Sequence, residues 1–418
     1  MHAMLRRASY DVAIIGGGVV GLGVARAMAL DGLRCCVLEA SDALCASAAS
    51  GGNTGIACTA PDAPVGTLER ALLARAEVLN AAAYDAQRVP HAKSGGVYRA
   101  RTAAEAPALS ALFDAHGPDR AVRLADGAVR VLGEIVVDPW LAPMAWAAAA
   151  EANGCDVATS AAVEAAAREG GAWTLRGAGW AVRSSVVVNC GGLWADDVER
   201  LGSGSAAFAV APVRGDYHIY GPRADAPAAP LGGAPGARGR GPYCWTTVHG
   251  DVVVGPTAYA AGDARRLAGA PSAASAASLA ACAARALPTL ADAPVLATYG
   301  GLRPALADGD DYRIEAADEG WITVAGVRST GLTASLAIGD FVGDLARGLL
   351  PPERAAAPPL LDPVVPRLPS LADLRDDYRR RGDGTVAIGG RPRRVTHPQT
   401  VFGLGGTHVA CGPGEDPP

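Results

Sequence analysis

Four residues near the N-terminus have the types and spacing to grip a diphosphate. Gly16, Gly18 and Gly21 fit G-x-G-x-x-G, and Glu39 follows close to where such patterns place an acid. The first glycine makes a tight turn and the second lets backbone approach a pyrophosphate. The third lets a helix pack on a strand, and an acid roughly 20 residues on accepts the ribose hydroxyls. A glycine triplet alone could simply turn the chain, so the elements around it carry the argument. Val12 to Ile15 is an apolar, β-branched run that reads as a buried strand. Val19 to about Leu30 reads as a helix whose free N–H groups and positive dipole end face the phosphates. Gly32 stops that helix, Arg34 to Leu38 forms a second strand, and Glu39 with Ala40 stands at its end. Together they predict a site for the ADP half of a dinucleotide.

Composition narrows what else the chain can be. Its 418 residues allow two or three domains at roughly 100 to 200 residues each. Half the residues are hydrophobic and 19% are charged, as in a globular enzyme and unlike a disordered chain. A net charge of -5 and no basic stripe argue against nucleic acid or an anionic membrane as partner. The longest uncharged apolar run, Val12 to Ala25, is broken by glycines and shorter than the roughly 20 residues of a membrane span. Nine cysteines, an odd number without C-x-x-C spacing, argue against a disulfide framework, a zinc site or an iron-sulfur cluster. A reducing, cytoplasmic setting is the simplest expectation. The opening MHAMLRRAS is too short before the first strand for a signal or transit peptide, although its arginines leave a mitochondrial address open.

Along the chain, Ser41 to Pro64 is a loop of small residues that either lies along a ligand or links elements at the surface. Leucines 68, 72 and 79 mark one face of a helix from Gly66 to Asn80. Gly95 to Ala100 reads as a strand, Ala103 to His116 as a helix, and Ala121 to Asp138 as two strands around Asp126-Gly127. A helix from Trp140 to Asn153 follows, then a hairpin of Trp173–Leu175 with Trp180–Val182. A separate buried strand, Val186 to Asn189, ends in Cys190-Gly191. From Val210 the texture turns to β: PVRGDYHIY, TVHGDVVVGPT with His249 in a hairpin turn, and TYGGLRP, interrupted by a helix from Ala264 to Leu287. Trp321 to Ala325 is a strand, followed by a glycine turn and a helix from Ser335 to Leu349. Beyond Pro351 we expect an exposed basic hairpin within YRRRGDGTVAIGGRPRRV and a disordered polar tail. The predicted fold is α/β, or α+β overall. A discontinuous Rossmann-like domain takes residues 10–95, 139–209 and 300–350, and a mixed, largely antiparallel-sheet substrate domain takes 96–138 and 210–299. Residues 351–418 form a partly irregular extension.

In this order the landmarks resemble the D-amino acid oxidase superfamily of FAD-dependent oxidoreductases, nearest its FAD-linked glycerol-3-phosphate dehydrogenase and L-2-hydroxyglutarate oxidase branch. The likeness runs from Tyr10 to about Leu350. It is carried by the glycine fingerprint with Glu39, SGGNTGI from Ser50, PVRGDY from Pro212, TVHGDVVVGPT from Thr247, and GLRP with GVRSTGLTAS. The resemblance implies FAD as cofactor, with the antiparallel sheet roofing the flavin. Residue by residue, it places Gly16, Gly18 and Gly21 on the pyrophosphate and Glu39 on the ribose. Ser50 and Asn53 would lie along the flavin, Val163 at the adenine, and Cys190 with Gly191 beside the ADP. Gly331, Leu332 and Thr333 would aim backbone N–H groups at the flavin edge that gains negative charge on reduction.

Such an enzyme would take a hydride onto flavin N5 from a small anionic hydroxy compound, a 2-hydroxy acid or glycerol 3-phosphate. Oxygen, a quinone or a carrier would then receive the electrons. Arg303 in GLRP is the candidate bidentate clamp for a carboxylate or phosphate, unless it braces the domain junction. His249 is the candidate base, unless it is merely an exposed turn residue. Tyr259 and Arg214 are candidates for shaping the pocket. One departure stands out: where the resemblance calls for histidine after the N-S-G-I stretch, this chain has Cys58 in GIACTAPDA. A thiol replaces imidazole as a base at neutral pH only if its pKa is lowered. The alternatives are amine oxidation of the D-amino acid or sarcosine oxidase kind, which needs no strong base, and a flavoprotein with weakened catalysis.

Overall fold

In the computed structural model, which describes residues 5, 9–236, 241–267, 270–356 and 358–406, the Ser9–Ile15 strand (β1) is buried on both faces. That is why Val12–Ile15 within it is a continuous apolar run without alternation. The helix Val19–Leu30 (α1) follows, then the strand Cys35–Leu38 (β2). A parallel array runs in the order Trp321–Ala325, Trp180–Asn189, β1, β2, Asp156–Ala158. Trp180–Asn189 is a single strand of ten residues, not the two segments its glycine-flanked sequence suggests. Its first half pairs antiparallel with Ala172–Gly177 and its second half parallel with Trp321–Ala325.

Three helices cover one side of this sheet. The helix Gly331–Leu349 starts four residues earlier than its apolar periodicity predicts. It crosses α1 where glycines meet: a Cβ on Gly23 would overlap the Ser335 carbonyl, and one on Gly339 the Gly23 carbonyl. The helix Leu141–Ala152 is buried from Leu141 to Ala150, apolar all round because it is packed on every face.

The C-terminal region supplies one of those faces, against expectation. The hairpin Thr385–Ile388 and Arg391–Arg394 turns Val386 and Ile388 fully inward, while Arg391 and Arg393 pair with Glu151. Its basic residues therefore belong to a packed element rather than an exposed one. Residues Pro398–Gly403 form a buried helical turn in what reads as a disordered tail; residues 407–418 of that tail lie outside the described residues.

The second sheet has nine strands, with Val213–Tyr220 paired antiparallel to Ala297–Arg303 at its heart. Region 121–138 contributes three strands rather than two, and the third, Ile135–Val137, joins Ile56–Ala57 and His91–Ala92 in a small separate sheet. The helix expected from Ala264 begins only at Ala273, where the Ser272 side chain accepts the Ser275 N–H and caps it. No helix among the described residues is long and apolar enough to cross a membrane.

Register decides which side chains of this sheet can reach the first one. Val213, Gly215, Tyr217 and Ile219 pair with Arg303, Gly301, Tyr299 and Ala297, and directly paired residues share a face. That face looks toward the cofactor loop, since a Cβ on Gly301 would overlap the Gly52 carbonyl. Arg214, Asp216 and His218 point the other way, toward the helix Ala273–Ala286, whose Ser275 hydroxyl donates to Asp216 at 2.7 Å.

Candidate active site

A continuous cleft of about 2760 Å³ runs between the two sheets. Single-ligand sites occupy roughly 300–1,000 Å³, so the cleft has room for a dinucleotide and a substrate together. Gly16, Gly18, Gly21, Glu39, Ala40, Ser50, Asn53, Val163, Cys190, Gly191, Gly331 and Leu332 all line it.

The ADP end is a cradle cut to backbone dimensions. Gly16 has φ +111°, and a Cβ there would overlap the Cys190 carbonyl; a Cβ on Gly21 would overlap the carbonyl of Gly16. The turn can therefore be built only without side chains. Glu39 is pinned rather than free, because Oε2 accepts the Gly17 N–H at 2.6 Å and Oε1 the Ser41 N–H at 2.7 Å. Burial raises its pKa and the two backbone donors oppose that rise. Gly18 is the N-cap of α1 and brings no side chain to the turn. This cradle, with an acid at the neighbouring strand end, fits a dinucleotide such as FAD.

Toward the middle of the cleft the roles shift from side chains to backbone. Ser50 Oγ accepts the Val19 N–H at 3.0 Å. Asn53 spends its amide on backbone, donating to Ser50 O at 2.7 Å and Pro139 O at 3.3 Å and accepting the Gly55 N–H at 2.8 Å. The helix Gly331–Leu349 has no side-chain cap among the described residues, and Gly331 and Leu332 of its first turn line the cleft. Thr333 is buried and outside the lining; its Oγ1 accepts the Cys58 N–H at 3.1 Å. Cys190 is a buried thiol pushed up to about 12 by burial, so its contribution here is shape.

Arg303, Tyr217, Ile56 and Cys58 also line the cleft. The Arg303 side chain lies over Gly215, where a Cβ would come within 3.0 Å of Nη2. Nη2 donates to Thr257 O at 3.4 Å, while Nη1 is buried with no hydrogen-bond partner among the described residues. Tyr217 stacks on Tyr299 at 4.3 Å, and burial holds its phenol protonated, with its pKa pushed up to about 12.

Three sequence candidates do not share the face of Arg303. His249 is not on the cleft: its ring is 1% exposed and donates from Nε2 to the fully buried Asp138 at 2.7 Å. A Cβ on Gly403, in the C-terminal helical turn, would overlap that ring, so a segment remote in sequence seals the hairpin turn. Tyr259 borders the cleft, but its phenol donates to Asp216 Oδ2 at 2.6 Å on the face opposite Arg303. Burial, then the Asp216 bond, pushes its pKa up to about 12, which removes it from base chemistry. Arg214 is likewise turned away, with Nε on Asp216 at 2.8 Å. Conversely Tyr217 went unnoticed in the sequence, although strict alternation from Gly215 would have put it on the face of Arg303.

The His249–Asp138 pair is a stability element with a predictable pH signature. Burial would raise the Asp138 carboxyl. The His249 hydrogen bond and charge, with the Leu141 and Trp140 N–H donors, outweigh burial and leave it below the ordinary range. A depressed folded pKa contributes stability above the unfolded pKa, about 3.9, that is lost as pH falls through the lower folded value. We expect Asp138→Asn to cost about 3–5 kcal/mol at pH 7, measured by denaturant unfolding, and to flatten the acid limb below about pH 4. An unchanged acid limb would remove Asp138 from this role.

Comparison with known proteins adds the following. Residues 11–345 match the family model described as DAO, FAD dependent oxidoreductase. The glycerol 3-phosphate dehydrogenase of Caloramator mitchellensis is 25% identical over 392 residues, 88% of this chain and 80% of that protein. The dithionite-reduced L-α-glycerophosphate oxidase of Mycoplasma pneumoniae, with FAD bound, superposes with a TM-score of 0.78 at 20% identity, over 87% of this chain and all of that one. Glycine oxidase from Geobacillus kaustophilus gives a TM-score of 0.69 at 21% identity, again over 87% of this chain and all of its own.

Proposed function

Since the chain belongs to the DAO family of FAD dependent oxidoreductases, we propose that it oxidises a small anionic hydroxy compound of the glycerol 3-phosphate or 2-hydroxy acid kind. One observation carries this reading: the buried Nη1 of Arg303, without a hydrogen-bond partner among the described residues, on a cleft that also holds the dinucleotide cradle. An orphaned guanidinium N–H is costly unless an anionic group completes it. FAD, when bound, takes the two electrons and the hydrogen from the substrate carbon. Gly16, Gly18 and Gly21 hold its pyrophosphate and Glu39 its ribose, in a cofactor part formed by 10–95, 139–209 and 300–350. Residues 96–138 and 210–299 form the part that takes the substrate. Arg303 fixes the substrate's anionic group, and the Tyr217 ring walls one side. Oxygen, a quinone or a carrier takes the electrons onward. Eight free cysteines among the described residues fit a reducing compartment such as the cytoplasm.

A second reading, oxidation of an amine, is favoured by the cleft's lack of imidazole: no histidine lines it among the described residues, and Cys58 occupies the wall beside Thr333. An amine already neutral at its nitrogen needs no strong base, whereas a hydroxyl does. The variant Cys58→His separates the two. With a hydroxy substrate, restoring an imidazole is expected to speed anaerobic flavin bleaching by about 10²-fold, with an acid limb near pH 6–7, because a positioned general base contributes that much. With an amine substrate the rate should not rise. Stopped-flow bleaching of both variants across hydroxy acids, glycerol 3-phosphate and amino acids decides. Bleaching by amines alone, unaffected by the new histidine, would replace the first reading with the second.

A further inference from the structure

The segment from Arg394 to Thr400 lies beyond the residues that match the family, yet it runs beside the whole cofactor loop in matching order. Arg394 pairs with Asp42 through two bonds, Nη1 to Oδ2 at 2.8 Å and Nη2 to Oδ1 at 2.5 Å. Thr396 Oγ1 donates to Cys45 O at 3.1 Å. His397 accepts the Gln399 N–H at Nδ1, which leaves Nε2 to donate to Asn53 O at 3.0 Å. Gln399 Nε2 donates to Thr54 O at 3.0 Å and to the Tyr299 hydroxyl at 2.7 Å. Thr400 Oγ1 donates to Asp138 Oδ1 at 2.9 Å.

We propose that residues 394–400 are a strap that positions the cofactor loop 42–55, with His397 and Gln399 as the positioning residues, and that the Gln399–Tyr299–Tyr217 contact extends its hold to the substrate wall. His397, Gln399 and Thr400 are all at most 2% exposed. Buried polar side chains must find partners: His397 Nδ1 caps its own helical turn, while His397 Nε2, Gln399 and Thr400 find theirs outside it, on Asn53, Thr54, Tyr299 and Asp138. The loop partners of His397 and Gln399 are the main-chain carbonyls of Asn53 and Thr54, residues that themselves line the cleft with Ser50, so these two side chains fix backbone. Tyr299 carries the constraint onward, because it accepts from Gln399 and stacks flat on Tyr217, interplanar angle 4°. His397 must be neutral to accept at Nδ1. Burial first of all lowers its pKa, to about 4, against the opposing pull of Asp138 and of the Asn53 carbonyl.

The inference rests on the reading that loop 42–55 carries FAD, and one experiment keeps the two apart. Apoprotein of the full chain is reconstituted with FAD for wild type, His397→Phe, His397→Asn, Gln399→Leu and Arg394→Ala. Dissociation constants, the flavin circular dichroism band and apoprotein melting are read in parallel. His397→Phe should weaken FAD about tenfold, equal to about 1.4 kcal/mol, and change the flavin band. His397→Asn keeps an N–H donor and should recover most of the affinity. Gln399→Leu should also raise KM for the anionic substrate about threefold or more, through Tyr299 and Tyr217. If His397→Phe does not fold, Arg394→Ala, a partly exposed end of the strap, decides alone with an expected loss of about threefold. FAD affinity and band unchanged in every variant, with only melting lowered, would overturn the strap. A wild-type chain that takes up no FAD would overturn the loop assignment and the strap with it.

Discussion

Gly21→Ala is expected to leave a protein that purifies without yellow colour. A single methyl carbon at this position would overlap the carbonyl oxygen of Gly16 and press the Cys190 side chain at 3.4 Å. Both obstacles are fixed: Gly16 is held at φ +111° by its own lack of space, and the Cys190 N–H is bonded to Ile15 O at 2.9 Å. The clash is relieved only if the N-terminal turn of α1 moves off the end of β1, and the turn's N–H groups and dipole move with it. Anion binding at a helix terminus depends on that first turn. We expect FAD affinity to fall by about 10³-fold or more, since several charge-assisted bonds of about 1.5–3 kcal/mol each are displaced together. Gly343→Ala in the helix Gly331–Leu349 is the matched control. Nothing lies within 4 Å of a Cβ there, and the change should stabilise the helix by about 0.5–1 kcal/mol without touching FAD. Apoprotein melting with FAD titration measures both. Normal FAD content in Gly21→Ala would mean the pyrophosphate lies elsewhere.

What the sequence made legible follows from how local each cause is. The β1–α1–β2 unit, its glycines and Glu39 are set by residues within about thirty positions of one another, and periodicity and turn chemistry read them directly. The face of the substrate sheet is set by pairing between Val213–Tyr220 and Ala297–Arg303, more than seventy residues apart. Alternation fixes which residues share a side but not which side meets the cofactor, so Tyr259 and Arg214 were placed with Arg303 when they lie across the sheet from it. His249 failed for a longer-range reason. A polar turn reads as exposed, and only the arrival of Gly403 and Thr400 from the far end of the chain buries it against Asp138. The C-terminal hairpin is legible in the sequence but its burial is not: the arginines suggest exposure, while Val386 and Ile388 alternate with the smaller, less buried Thr385 and Ala387.

Arg303→Ala should cost the largest share of activity while leaving the fold intact, and that combination distinguishes a substrate clamp from a brace. Removing one partner of a buried, hydrogen-bonded charge pair costs about 2–5 kcal/mol, which predicts a fall in kcat/KM of about 30- to several thousand-fold for an anionic substrate. Arg303→Lys keeps the charge but loses the fork, so it should recover only part, leaving about a tenfold deficit. FAD affinity should not change in either variant, since the Arg303 side chain contacts Thr257 and Gly215 of the second sheet and none of the cradle glycines among its described contacts. Stability points the opposite way from activity. The arginine makes one long bond, Nη2 to Thr257 O at 3.4 Å, and keeps Nη1 buried and unpaired. Deleting it removes an unsatisfied donor and a buried charge, so the melting temperature of Arg303→Ala should hold or rise, as expected where a site is built at the expense of stability. A brace at the junction of the sheets would behave otherwise: its loss would lower the melting temperature and reduce turnover of anionic and uncharged substrates alike. Substrate-dependent loss with unchanged or higher melting assigns Arg303 to the substrate, because no structural defect can tell a phosphate or carboxylate from its neutral analogue.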